Sequence, residues 1–486
     1  MYAPTVNMFK PVFYIIGIFL VALSFFMIIP ALVNLFLLHK QWIEFLQAAL
    51  LSLLLGLSLI ALFRVEKFSL YPRQMFLLTT LTWIGVSMVA ALPMVIIEGI
   101  SFTDSFFETM SGVTTTGSTI FPHLGDLSPG ILLWRSLLQW VGGIGFIVMA
   151  VAVLPFLRVG AMRLFHTESS DWTSKITART TTMAKLIFVA YCIITVLGVL
   201  CFQLAGMSFF DAINHAMSAV STGGFSTYDN SFAHFEQPSI HWVAVIFMIL
   251  GSLPFALYVR MMHGDFLSLF RDQQVRAFIT FLTVSTACLT LWMVIKHHTP
   301  LLDAVRLTAF NIVTVVTTTG YALTDYTLWG SFSIVMFFFL TFVGGCSGST
   351  AGGIKIFRFQ VAYIILRNHM RQLLDPSIVY NQKYNGHSIN EDIFRSLVGF
   401  SFFFAMTIAL LALALSLFGY DLVTSLSGAA TAVANVGPGL GHIIGPAGNF
   451  SSLHDGAKWL LALGMLMGRL EIITVLVLLT PGFWRS

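Results

Sequence analysis

Hydrophobic positions in this 486-residue chain fall in long runs, and one of them, "FYIIGIFLVALSFFMIIPALVNLFLL", exceeds the roughly 20 apolar residues that cross a bilayer. The runs predict ten spans, at 12–37, 42–63, 74–97, 129–157, 185–206, 239–262, 275–296, 328–366, 393–418 and 456–480. Four half-length apolar segments lie between them: "DSFFETMSGVTTTGST", "DAINHAMSAVSTGGFST", "DAVRLTAFNIVTVVTTTGYA" and "DLVTSLSGAATAVANVGPG". Each begins at an aspartate (Asp104, Asp211, Asp303, Asp421) and reaches a glycine (Gly117, Gly224, Gly320, Gly437) 13 to 17 residues later. An aspartate at a helix start satisfies free N–H groups and complements the positive dipole end. The segments therefore predict short helices that enter the outer half of the membrane and stop.

The result is a fourfold rhythm of span, half-helix, glycine turn and span, after two extra N-terminal spans. It predicts an all-α polytopic membrane protein: residues 1–73 hold the two extra spans, and 74–157, 158–274, 275–392 and 393–486 hold the four repeats. Non-helical backbone at membrane depth is tolerated where it lines a water-filled cavity, so four such loops around one axis predict a pore. In register, Thr114-Thr115-Thr116-Gly117 faces Ser221-Thr222-Gly223-Gly224, Thr317-Thr318-Thr319-Gly320 and Ala434-Asn435-Val436-Gly437. Backbone carbonyls can replace the hydration shell of a cation, glycine permits the angles that turn them inward, and four helix C-termini aim partial negative charge at the centre. Threonine hydroxyls are expected to add uncharged oxygen ligands.

Composition agrees: 57% of residues are hydrophobic and 9% charged. The run near Phe13 is too long for a signal-peptide core and reads as a retained span. Cys192, Cys201, Cys288 and Cys346 lie in or beside apolar segments without C-x-x-C spacing, so neither a disulfide framework nor a cysteine metal site is expected. Most basic residues fall in alternate connecting segments, which puts both termini in the cytoplasm by the positive-inside rule. Glu98, Asp104, Glu108, Asp126, Asp211, Asp229, Glu236, Asp303, Asp325, Asp421 and Asp455 then lie outside. They read either as solvated loop ends or as a mouth that concentrates cations.

"GGCSGSTAGGIK", residues 344–355, interrupts the span at 328–366. Its glycines should break the helix below the turns, although a close helix crossing also uses small residues. Gly344, Gly345, Cys346, Ser347, Gly348, Ser349, Thr350, Ala351, Gly352, Gly353 and Lys355 make up this break, with Lys355 either part of it or snorkelling to the inner interface. Arg469, in the last span, is a charge that needs a partner or water. Glu471, two residues away, points to a different helix face, which leaves the pore or the broken loop, or buried carbonyls, as its surroundings.

"TTTGST", "GGFST", "GGCSGSTAGGIK", "NVGPGLG" and "GRLEIITVLVLLTPGFWRS", with the fourfold pattern, resemble the Trk/Ktr/HKT superfamily of potassium transporters, specifically its TrkH/TrkG-type bacterial subunits. The resemblance covers nearly the whole chain. It implies potassium uptake through a selectivity filter of four glycines, with potassium as substrate and no cofactor in the chain. It further implies an intramembrane gating loop at 344–355, a homodimer in the bacterial inner membrane, and a cytoplasmic TrkA-type nucleotide-binding ring as partner. Membrane lipid is the other expected partner, and no nucleic acid is. The fourth turn departs from the others, since Ala434 and Val436 lack hydroxyls and Pro438 lacks an N–H. Two other classes compete. A potassium transporter coupled to protons or sodium also has broken helices and internal repeats. An intramembrane serine protease would use Ser347 in "GCSG" with His297 or His298 as base.

Overall fold

The structure, a computed structural model, describes residues 6–65, 71–152, 180–376, 383–385, 387–389 and 391–485. The connecting segment at 158–185, rich in basic residues, and the boundary between the first two repeats lie largely or wholly outside the described residues.

Two helices open the chain, α1 (Val6–Phe36) and α2 (Trp42–Leu62). They cross at Gly17 and Gly56, where a Cβ on either glycine would come within 2.8 Å of the other's carbonyl oxygen. The Asn34 side chain near the end of α1 then accepts from the Gly130 N–H at 2.7 Å, fixing the first repeat against this hairpin.

The first repeat consists of α3 (Pro72–Ala90), α4 (Leu92–Glu98), the half-helix α5 (Phe102–Val113) and the span α6 (Pro129–Ala152). The second consists of α7 (Thr180–Leu204), the half-helix α8 (Phe209–Val220), α9 (Pro238–Gly251) and α10 (Phe255–Met262). The third has α11 (Gln273–His297), the half-helix α12 (Leu301–Val316), α13 (Ser331–Leu340) and α14 (Ile356–Leu374). The fourth has α15 (Glu391–Ser416), the half-helix α16 (Leu422–Ala434), α17 (Asp455–Arg469) and α18 (Ile473–Leu476).

Among the described residues seven helices are long and apolar enough to cross a membrane. The other three expected spans are not continuous. The span at 328–366 is interrupted from 341 to 355, where the glycines favour it. The span at 239–262 bends by 92° between α9 and α10, and that at 456–480 by 109° after α17. Pro254 accounts for the first bend, because it has no N–H to continue the ladder. Glu471 and Ile472 account for the second, both with positive φ (63° and 37°), so the helix cannot run through them. These two bends correct the expectation of straight spans.

The half-helices start as their sequences require, with one refinement. Ser101 and Ser208 are the N-caps of α5 and α8, each accepting from the backbone N–H of the expected aspartate three residues on, at 3.1 Å. Only Asp421 is itself the cap, accepting from Val423 and Thr424 N–H groups, and Asp303 instead pairs with Arg306 at 2.9 Å. Each half-helix is wedged between long helices: α5 packs on α3, α6 and α17, α8 on α6 and α7, α12 on α9 and α11, and α16 on α15 and α17. Residues such as Phe25, Leu54, Leu291 and Leu413 are exposed on the outer faces of the spans, as a lipid-facing surface requires.

Candidate functional site

All four half-helices end in the same turn. After α5, the Thr116 N–H donates to Ser111 and the Thr115 N–H to Gly112, at 2.8 and 2.9 Å. The same pair of bonds recurs from Gly223 to Ser218 and Thr222 to Ala219, from Thr319 to Thr314 and Thr318 to Val315, and from Val436 to Thr431 and Asn435 to Ala432. This is the Schellman ending, which needs one residue in the left-handed region. Thr115, Thr222, Thr318 and Asn435 occupy it, with φ of 53°, 52°, 56° and 55°. Glycine usually fills that place. A β-branched residue there costs about 1–2 kcal/mol, so three of the four turns are strained.

Two residues on, Gly117, Gly224, Gly320 and Gly437 have φ of 88°, 83°, 83° and 108°. A Cβ on Gly117 would collide with the carbonyl oxygen of Gly223, one on Gly224 with that of Thr319, and one on Gly320 with that of Val436. A Cβ on Gly437 would come within 2.7 Å of the Thr116 carbonyl oxygen. The order runs from repeat 1 to 2, 3, 4 and back to 1, so the four glycines and four carbonyls form one closed ring. Glycine is required twice over at each position, by its dihedral and by the neighbouring oxygen.

The threonine hydroxyls also bond their own helix ends. Thr114 donates to the Met110 carbonyl at 2.6 Å and Thr317 to Val313 at 2.7 Å, and each lies 2.8 Å from a second hydroxyl, Thr116 or Thr319. A hydroxyl at a helix end finds the last carbonyls of its own helix within reach, and these need a donor. Among the described residues the Thr115 hydroxyl is buried without a protein partner.

Residues 341–355 cross one end of this ring. The segment doubles back, with Val343–Gly344 pairing in parallel with Ile354–Lys355. Gly352 N–H donates to the Thr318 hydroxyl at 2.6 Å, and the Thr350 hydroxyl lies 3.2 Å from that of Thr222. A Cβ on Gly352 would collide with the Ala434 carbonyl, so the loop touches three of the four turns. Cys346 N–H donates to Ser252 at 2.9 Å and Phe255 N–H to Gly348 at 3.0 Å, so the bend between α9 and α10 supplies backbone partners to the loop. Gly345 packs on Ser252, and Ser349 donates to the Cys346 carbonyl at 2.6 Å. Ala351 is buried, and Gly353 turns the chain with φ 65°.

Arg469 is 1% exposed, donates to the Thr350 carbonyl at 2.8 Å, and sits over the Phe146 ring at 4.2 Å. Its Nε and Nη2 have no protein partner among the described residues. Lys355 does not snorkel. It is 4% exposed, donates to the Ala351 carbonyl, and lies 5.5 Å from the same Phe146 ring. Glu471 pairs with Arg358, whose guanidinium stacks on Phe400 at 3.5 Å. Lys355, Arg358, Arg469 and Glu471 thus line one small cavity, with three positive charges against one negative.

Of the acidic residues outside the ring, Asp126 and Glu236 are exposed, whereas others are tied into the fold. Glu108 is fully buried and bonds Arg135 at 2.7 Å, the Ile120 N–H at 2.8 Å and the Thr119 hydroxyl at 3.0 Å. Asp104 pairs with Lys458 at 2.5 Å, and Asp211 accepts from Thr227 and Tyr228. Burial and, next, the Asp211 carboxylate hold the Tyr228 phenol up to about 12. Ser347, the residue of the protease reading, has its N–H on Gln274 in the first turn of α11. His297 is in the last turn of α11, bonded to Trp329. At 1.5 Å per residue the two ends stand roughly 35 Å apart, so His297 cannot be its base.

An all-α multi-pass membrane protein with four re-entrant half-helices meeting in a ring is the class this geometry defines. The TrkH family model, described as a cation transport protein, matches residues 43–484, and the chain belongs to this family. It is 51% identical to the Trk system potassium uptake protein TrkI of Halomonas elongata, over 99% of this chain and 98% of that one. It is 35% identical to the Trk system potassium uptake protein TrkH of Escherichia coli K12, over 98% of this chain and the whole of that one. The crystal structure of the potassium transporter TrkH from Vibrio parahaemolyticus superposes with a TM-score of 0.90 at 34% identity, covering 98% of this chain and all of that one. Like these relatives, the chain is a transporter and not an enzyme.

Sequence reasoning missed the bends at 252–254 and 470–472, the Arg358–Glu471 pair, and the contribution of α6. Signals were present: a proline in "GSLPF", and Arg135, Gln139 and Phe146 at helical spacing along one apolar span.

Proposed function

We propose that this chain carries potassium into the cell through the ring of four turns, as a channel-like pathway whose selectivity filter is Thr114–Gly117, Ser221–Gly224, Thr317–Gly320 and Asn435–Gly437. The closure of the ring is the observation that carries this reading: each of four glycines meets a carbonyl of the next repeat, and carbonyls gathered in this way can replace the water around a dehydrated cation. Four half-helix C-termini converge on it and add negative potential without a formal charge. The membrane potential drives uptake, at about 2.3 kcal/mol per charge for each 100 mV.

Residues 344–355 with Arg469 are the gate. A guanidinium about 8 Å from a permeating ion, at an effective dielectric near 20, repels it by about 2 kcal/mol, which slows passage roughly thirtyfold. The gate opens when the loop and Arg469 move together, since the Thr350 carbonyl binds them. The working unit is a homodimer in the bacterial inner membrane with both termini inside. A TrkA-type nucleotide-binding ring acts on the basic segments at 158–185 and 355–395.

Reversal potentials of the reconstituted protein in mixed potassium and sodium test the filter. Gly117→Ser, Gly224→Ser, Gly320→Ser and Gly437→Ser should each raise sodium permeability, because each side chain displaces a neighbouring carbonyl. Unchanged reversal potentials in all four variants would remove the ring from the pathway.

A further inference from the structure

The four turns are not built alike. In repeats 1 and 3 the residue before the ring glycine is a threonine, Thr116 or Thr319, whose hydroxyl lies 2.8 Å from that of Thr114 or Thr317. In repeat 2 that residue is Gly223, and the space is filled from another element. A Cβ on Gly223 would fall on the carboxamide of Gln139, which projects from α6 and is fully buried. Gln139 Nε2 donates to the Gly223 carbonyl at 2.6 Å, while Oε1 accepts from the Ser218 hydroxyl at 2.7 Å and the Phe225 N–H at 3.1 Å. Both acceptor sites of the amide oxygen are thereby used. One helical turn away on the same face of α6, Arg135 donates to the Ser226 carbonyl at 3.0 Å. The second turn is therefore held by the span of the first repeat.

The Gly223 carbonyl is also the ring oxygen that faces Gly117. We propose that Gln139 is a selectivity-determining positioning residue, which replaces the threonine side chain missing at Gly223 and fixes that carbonyl in the ring. This rests on the filter reading given above. A smaller cation must draw the carbonyls inward to be coordinated, and an oxygen held by a short bond from an amide moves least. Potassium, which needs no such movement, is favoured.

Potassium-to-sodium permeability ratios of the reconstituted full chain test this in Gln139→Ala, Gln139→Met, Gly223→Thr and the double variant Gln139→Ala with Gly223→Thr. Gly320→Ser, in the third turn, reports on the filter itself. Gln139→Met keeps the length of the side chain and so separates the amide from its bulk. Each single change should lower the ratio, by roughly tenfold or less if it removes the worth of one hydrogen bond. The double variant should recover most of the loss, since Gly223 has a φ that threonine can adopt and the new hydroxyl meets Ser221 as Thr116 meets Thr114. If Gln139→Ala and Gln139→Met keep the wild-type ratio while Gly320→Ser loses it, Gln139 only packs. A double variant no better than the worse single one would likewise reduce Gln139 to packing. If Gly320→Ser and the other three ring-glycine variants are also unchanged, the filter reading fails, and the role of Gln139 falls with it.

Discussion

At the scale of single residues, the site combines strain with charge. Thr115, Thr222 and Thr318 sit in the left-handed region, where glycine is at ease and threonine is not. Such strain persists where surrounding contacts over-determine it, and here the Thr222 and Thr318 hydroxyls reach the loop at 341–355. Thr115 has no such contact, so Thr115→Gly is expected to relieve strain and raise stability by about 1 kcal/mol, whereas Thr318→Gly gains less because it also loses the bond from Gly352. Unfolding of the detergent-solubilised variants compares the two. Arg469→Ala should increase potassium flux up to about thirtyfold without any partner, and Arg469→Lys should keep much of the block. A correctly inserted Arg469→Ala protein with wild-type flux would leave Arg469 only its packing on Phe146 and its bond to Thr350. The glycine register was readable from the sequence because both requirements, dihedral and close approach, select one residue type. The hydroxyl roles were not, because a threonine looks the same whether it faces an ion or its own helix end.

Among the elements, broken helices govern one end of the ring. The loop at 341–355, the bend at 252–254 and the break at 470–472 meet there, each supplying backbone groups or charges that a straight helix would keep to itself. Deleting Ser347 to Gly352 is expected to raise potassium flux, and reduced flux in a fully inserted protein would assign the loop a structural role. The Arg358–Glu471 pair holds α14 to the break after α17. Glu471→Gln should destabilise the protein by about 3–5 kcal/mol, because it leaves Arg358 charged and buried, while Arg358→Met with Glu471→Leu recovers most of that loss. Thermal unfolding of single and double variants separates pairing from packing. The glycine-rich break was visible as composition, but the other two breaks involve few residues, and a hydropathy window of about 19 residues averages over a single Pro254 or Glu471.

For the whole molecule, the cyclic order of contacts matters more than any one of them. Each ring glycine meets the next repeat, α6 carries Arg135, Gln139 and Phe146 from the outer rim past the ring to the cavity below, and Lys458 ties α17 back to α5 through Asp104. A channel-like pathway predicts currents that reverse at the potassium equilibrium potential and do not shift when a proton or sodium gradient is imposed. A shift with either gradient would favour a coupled transporter. The membrane class and the four half-length segments that run from an aspartate to a glycine follow from the sequence by itself, because hydrophobic length and internal similarity are local properties of the chain. Which carbonyl faces which glycine, the replacement of a missing threonine by Gln139 from another repeat, and the burial of Lys355 rather than its escape to the interface were decided only by the tertiary structure. Each depends on groups brought together from distant parts of the chain, and their energies arise from desolvation and pairing after the helices have packed.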